Sequence, residues 1–317
     1  MALFSLLMAI LADRLKLLPE SWQFDAILAR FHQRLWRDDF TAAQSEGGAA
    51  AETSTDTDRD TDTGIASGSY NNAGKVADAR MLQALLLPAL LVLAALWFSQ
   101  GLLFGVVTLA IWVTVAMACF SHLDQRNAFK KYIQAACRGD VQACYRHGAE
   151  MDCSASLNAV SAPDLGLKVG QSVAWINYRY YGAVALYLLL LGPVGAVLYC
   201  TVRFYDKKAS GAGVTLPYVD SLLTVLDWLP ARLVAFGYLL TGQFRSGFGR
   251  WRKLAFDAST PARRLITETA TEAETIPEAS SAPVCLQPTL VLLGLSKRNF
   301  VLLLTLSALL TIFGVLG

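Results

Sequence analysis

The chain has 317 residues, 54% hydrophobic and only 16% charged, against roughly a quarter charged in soluble domains. Its formal net charge is +2, too small to argue for a nucleic-acid partner. Six cysteines and three histidines are scattered without a CxxC or a close histidine pair, so reduced structural thiols are expected rather than disulfides or a metal site. The apolar content is concentrated in long uncharged runs, which predicts an integral membrane protein.

In chain order, residues 1–12 are apolar, and Asp13, Arg14 and Lys16 follow at once. The positive charge lies after the apolar run, unlike a cleaved signal, and twelve helical residues reach only about 18 Å. The segment therefore either continues past Arg14 to Leu18 with snorkelling side chains or packs on other helices as a half-span, and Pro19 ends it. Phe24, Ile27, Leu28, Phe31 and Leu35 recur three or four apart and predict an amphipathic helix with a basic polar side. Residues 41–79 are rich in Gly, Ala, Thr and Asp and predict a disordered acidic insert. The TDTDRDTDTG tract resembles a calcium loop only loosely.

Leu82 to Phe120 carries no formal charge and fits two spans joined near Ser99-Gln100-Gly101. Positive charge on both flanks places those flanks in the cytoplasm. A soluble helical segment follows, with a break at Gly139-Asp140. Residues 151–171 read as a loop, with helix resuming near Gln171. Tyr180 to Val202 is again uncharged, bracketed by Arg179 and Arg203, and Gly192-Pro193 in its middle predicts a re-entrant or broken segment.

Arg203, Asp206, Lys207 and Lys208 then predict a short charged loop. The helix beyond it carries a stripe of Leu222, Leu226, Leu229, Leu233, Phe236 and Leu240, with Asp220, Thr224 and Asp227 on another face and a kink at Pro230. GQFRSGFGRWRKLAF, basic and aromatic, suits anionic headgroups. Residues 257–288 read as a flexible linker, and Lys297-Arg298 open a last span with its C-terminus outside.

The expected fold is all-α: a polytopic helical membrane protein with a re-entrant or broken central segment and cytoplasmic amphipathic helices. Its divisions are 1–40 (membrane segment and amphipathic helix), 41–80 (insert), 81–256 (membrane core), 257–296 (linker) and 297–317 (terminal span).

Three stretches carry a family resemblance: ALFSLLMAILADRLKLLPESWQFD, AWINYRYYGAVALYLLLLGPVGAVLY and VDSLLTVLDWLPARL. In these the chain resembles the AmpE family, membrane proteins linked to control of chromosomal beta-lactamase induction. More distantly it looks like the cobalamin-pathway membrane enzymes that make adenosylcobinamide phosphate by ATP-assisted amide synthesis. That second resemblance carries Pro230-Ala231-Arg232-Leu233, Asp206 and Asp13 across. Its paired aspartates become Leu223-Thr224, and its Glu-Asn motif falls on WINYRYY.

The resemblance implies a regulatory accessory protein of the bacterial inner membrane, multi-pass. It would bind an anionic small molecule or a protein partner at a cytoplasmic cradle, with no cofactor. The alternative is a membrane-bound amide-forming synthase using magnesium and ATP, and a third reading is a scaffold without a small-molecule site. Candidate ligand-binding residues are Asp13, Arg203, Asp206, Asp220, Asp227 and Arg232. Read blandly, Arg203, Lys207 and Lys208 anchor the chain at the bilayer, and Asp220 and Asp227 form a solvated or polar-packed helix side. Arg232, set in an apolar stretch, needs a partner, expected to be Asp13 or Asp206.

Overall fold

The computed structural model describes residues 1–15, 22–35, 67–100, 105–120, 123–151, 161–212, 216, 218–275 and 286–314. The Asp-rich tract, Pro19 and most of the acidic insert lie outside them. Every regular element among the described residues is helical.

The first apolar segment is α1 (Ala2–Leu15) and the amphipathic helix is α2 (Phe24–Leu35). Helices α3 (Ser67–Ser99) and α4 (Val106–Phe120) form the expected hairpin. At its tip Ser99 and Thr108 share a hydroxyl contact of 3.1 Å, and the Thr108 hydroxyl also donates to the Ser99 carbonyl. Leu90, Leu91, Leu93, Trp97 and Phe98 point outward from α3, an apolar surface suited to lipid rather than water.

Helices α5 (Leu123–Arg138) and α6 (Val141–Glu150) part at Gly139, whose φ of +74° only glycine adopts without strain. The Asp140 carboxylate then caps α6 by accepting from the Ala143 amide. The stretch read as loop up to residue 171 is helical well before that. Ser161 and Pro163 supply a cap and a start, and α7 runs Ala162–Asn177.

A π-helical turn, Tyr178–Gly182, continues α7 into α8 (Ala183–Leu190). The expected break comes at Leu191-Gly192, after which α9 runs Gly192–Ala212. Arg203 to Lys208 is therefore helix and not loop, held by Arg203 donating to Asp25 of α2 and by the Tyr205 ring against His32 of α2.

Helix α10 (Val219–Thr241) continues through Pro230. Its leucine stripe faces largely outward, while Leu223, Asp227, Ala231, Val234 and Tyr238 are buried. Lipid is as apolar as leucine, so a membrane helix can turn its small and polar residues inward. Helix α11 (Phe244–Ala255) is the basic aromatic stretch.

The linker expected at 257–296 is partly folded, as α12 (Ala262–Glu272). It packs Leu265, Ile266, Thr269 and Ala270 inward against α10 and α7, an amphipathic pattern hidden by its Thr-rich composition. The last helix, α13 (Gln287–Ile312), starts ten residues before the expected boundary, so Lys297 and Arg298 lie within it. It crosses α7 where a Cβ on Gly170 would meet the Pro288 carbonyl at 3.1 Å, a small-residue contact typical of membrane helices. Four helical stretches, Arg80–Ser99, Val106–Arg138, Val219–Thr241 and Gln287–Ile312, are long and apolar enough to cross a membrane. The third is the helix expected at the cytoplasmic surface.

Candidate functional site

The π-turn organises the polar interior. A π-turn carries about one more residue per turn than an α-helix, and such turns often sit at functional sites. Here four neighbours each reach a different charged group. The Tyr178 hydroxyl donates to Asp227 Oδ1 at 2.6 Å, Arg179 pairs with Asp206, the Tyr180 ring lies 4.1 Å from the Arg203 guanidinium, and the Tyr181 hydroxyl donates to Asp13 at 3.3 Å. Four of the six candidate residues are thus tied to one turn.

They do not share one site. Asp206, Asp227 and Arg232 line a cleft of about 170 Å³ together with Trp175, Arg179 and Trp228. Arg203 is 2% exposed and turned away from it, donating to Asp25 Oδ1 and to the Arg179 carbonyl, each at 3.3 Å. Asp13 pairs with Arg126 at 2.6 Å beside a separate cavity. Asp220 is exposed in the first turn of α10, where a carboxylate complements the helix dipole. Lys207 and Lys208 are exposed near the end of α9.

Arg232 does not pair with Asp13 or Asp206. Its Nε donates to the Ala255 carbonyl at 2.8 Å, Nη1 to Trp228 at 2.8 Å and Nη2 to Asp257 at 3.0 Å. Its guanidinium also lies 4.2 Å from the Trp228 ring centre. Backbone carbonyls satisfy a buried guanidinium when the chain wraps around it, as the α11–α12 loop does. Three of its five N–H groups are used, leaving one on each terminal nitrogen.

That loop is itself fixed by Asp257. Its carboxylate accepts from the Ser259 hydroxyl at 2.7 Å, the Ser259 amide at 2.9 Å and the Thr260 hydroxyl at 2.9 Å. These bonds favour the ionised form and hold Asp257 below the usual carboxylate range.

Asp227 is 4% exposed and also accepts from the Tyr199 hydroxyl at 2.9 Å. Two phenol donors replace water there. Two other cleft groups are unmatched: Arg179 Nε and Trp175 Nε1 are buried and have no acceptor among the described residues. Both residues lie in the WINYRYY motif. The sequence held a signal for Arg179, a lone cation at the head of an uncharged run. Trp175, Tyr178 and Tyr199 carried none, since aromatic residues are expected in any apolar stretch.

The pattern of the family described as regulatory signalling modulator protein AmpE matches residues 70–317, which include every residue of the cleft. The chain belongs to the AmpE family. It is similar to Protein AmpE of Shigella flexneri, 26% identical over 280 residues that cover 85% of this chain and 84% of that one. No solved structure matches.

This AmpE family member is accordingly a regulatory signalling modulator and a membrane protein. The synthase resemblance implies magnesium, an ion that one or two carboxylates hold together with phosphates. Among the described residues no three His, Cys, Asp or Glu side chains stand close enough to hold a metal. The cleft's two carboxylates are already engaged, one by Arg179 and the other by two tyrosines.

Proposed function

We propose that the cleft beside the π-turn is the signal-receiving site of a bacterial inner-membrane, multi-pass regulator of beta-lactamase induction, and that it binds a small anionic ligand. The observation that carries this reading is the pair of buried donors, Arg179 Nε and Trp175 Nε1, on residues that line the cleft. A buried N–H without an acceptor is destabilising by about 1–3 kcal/mol. An anion accepting from both would recover that energy, and the two remaining N–H groups of Arg232 add charge-assisted donors. The volume suits a carboxylate or phosphate group. The Trp175 and Trp228 rings, each within reach of a guanidinium, supply apolar walls.

Two measurements test the reading. Titrating inorganic phosphate and acetate into purified protein should change tryptophan fluorescence in the wild type, and much less in Trp175→Phe and Arg179→Gln. In cells, Arg179→Gln and Arg232→Gln at normal protein levels should abolish the regulatory effect on beta-lactamase induction. An unchanged phenotype in both variants would remove the cleft from the function.

A further inference from the structure

The larger cavity beside Asp13 is separate from the cleft and lies on the Tyr181 side of the π-turn. Its volume is about 550 Å³, within the roughly 300–1,000 Å³ of small-molecule sites. One part is apolar, lined by Ile10, Phe129, Val173, Phe300 and Val301. The other part carries Asp13, Arg14, Arg126 and Lys297, three cations against one carboxylate. Asp13 is matched by Arg126, so Arg14 and Lys297, both exposed, leave the rim positive.

The arrangement of charge along the helices fixes what such a cavity faces. In α1 everything before Asp13 is uncharged, and in α13 Lys297 and Arg298 are the only charges of the helix. In α4 no charge occurs until Asp124 and Arg126 open α5. Helices α1 and α4 thus end their uncharged runs at the level of the cavity, and α13 carries its only two charges there. That level is the boundary between hydrocarbon and headgroups, with Ile10 and Val301 one step inside it and Arg14 and Lys297 at the polar edge. Val301 is 61% exposed, so the apolar side opens towards lipid.

We propose that this cavity holds one anionic membrane phospholipid. Its phosphate lies among Arg14, Arg126 and Lys297, and its acyl chain runs along Ile10, Phe300 and Val301. Gln125, whose side-chain oxygen is buried without a partner among the described residues, accepts from a headgroup hydroxyl. A glycerol headgroup supplies that hydroxyl and a choline headgroup does not, so the site selects phosphatidylglycerol over phosphatidylcholine. The site is independent of the anion cleft and survives if that cleft proves empty.

The test uses full-length protein in detergent, exchanged with equimolar phosphatidylglycerol and phosphatidylcholine and read by native mass spectrometry. The wild type should retain one phosphatidylglycerol in preference. Arg14→Gln/Lys297→Gln, both at exposed positions, should reduce that preference on the order of ten-fold with an unchanged melting temperature. Val301→Trp should reduce retention of both lipids. Equal retention of the two lipids by the wild type overturns the proposal, as does a preference that the double variant leaves in place. Displacement by glycerol 3-phosphate at the same concentration as lipid would show a phosphate site without an acyl component, and would also overturn it.

Discussion

Asp227 shows how one buried side chain can hold several helices. It sits on α10 and accepts from tyrosines of the π-turn and α9, so its removal leaves two buried phenols without acceptors. Asp227→Ala is expected to lower stability by on the order of 3 kcal/mol, and Tyr199→Phe by about 1 kcal/mol. Thermal unfolding in detergent checks both, and equal melting temperatures for Asp227→Ala and wild type would contradict the shared-acceptor role. His32 adds a pH dependence. Burial, and then the nearby Lys208 charge, pull its imidazole below the ordinary value of 6.5. The folded state therefore binds this proton less readily than the unfolded one. The contribution of neutral His32 is complete above about pH 6.5 and is lost as pH falls below it. The melting temperature should fall between about pH 7.5 and 5.5 in the wild type, and less steeply in His32→Gln.

At the scale of elements, close helix approach is the feature most exposed to single substitutions. A Cβ on Gly237 would stand 2.1 Å from Asn299 Oδ1, and Asn299 Nδ2 donates across the same contact to the Val234 carbonyl at 3.0 Å. Gly237→Ala should therefore push α13 from α10 and lower stability by about 1–3 kcal/mol. Gly249, in α11, has open space around it. There the same change should be neutral or stabilising by up to about 1 kcal/mol, since only helix propensity acts. Comparing the two unfolding midpoints separates packing from propensity. The elements themselves were largely legible: the amphipathic α2, the α3–α4 hairpin and the break at Gly192 follow from periodicity and from the position of glycine. Two were not. Helix α12 was hidden because its Thr-rich composition resembles a linker, although Leu265, Ile266, Thr269 and Ala270 share one face. The outward stripe of α10 was ambiguous because in lipid an apolar face no longer marks the core.

For the whole molecule, the AmpE family match and four apolar helical stretches agree on a helical membrane protein with a regulatory role. The paired Glu268 gives that architecture an acid limit at its polar edge. Burial works against its charge, but bonds from Arg264 at 2.8 Å and Arg250 at 2.7 Å outweigh this and lower its pKa. Its contribution is present above the ordinary carboxylate range and lost as pH falls through it, so the α11–α12 contact should loosen in acid before the core does. Hydrogen exchange of α12 amides at about pH 4 against about pH 7 would show it.

Hydrophobic run lengths, the placement of charge and three motif stretches determined the helical class, most of the membrane segments and the family resemblance, because those properties are carried by short-range sequence. Which candidates meet was decided only in three dimensions. Asp206, Asp227 and Arg232 share the cleft, while Arg203 turns to Asp25 and Asp13 to Arg126. A buried charge needs a partner, but its sequence position does not say which, since pairs such as Asp13 and Arg126 are brought together only by helix packing. Tyr178, Arg179, Tyr180 and Tyr181, consecutive on one helical turn, face different neighbours, so the one expected cradle is divided into a cleft and a separate cavity.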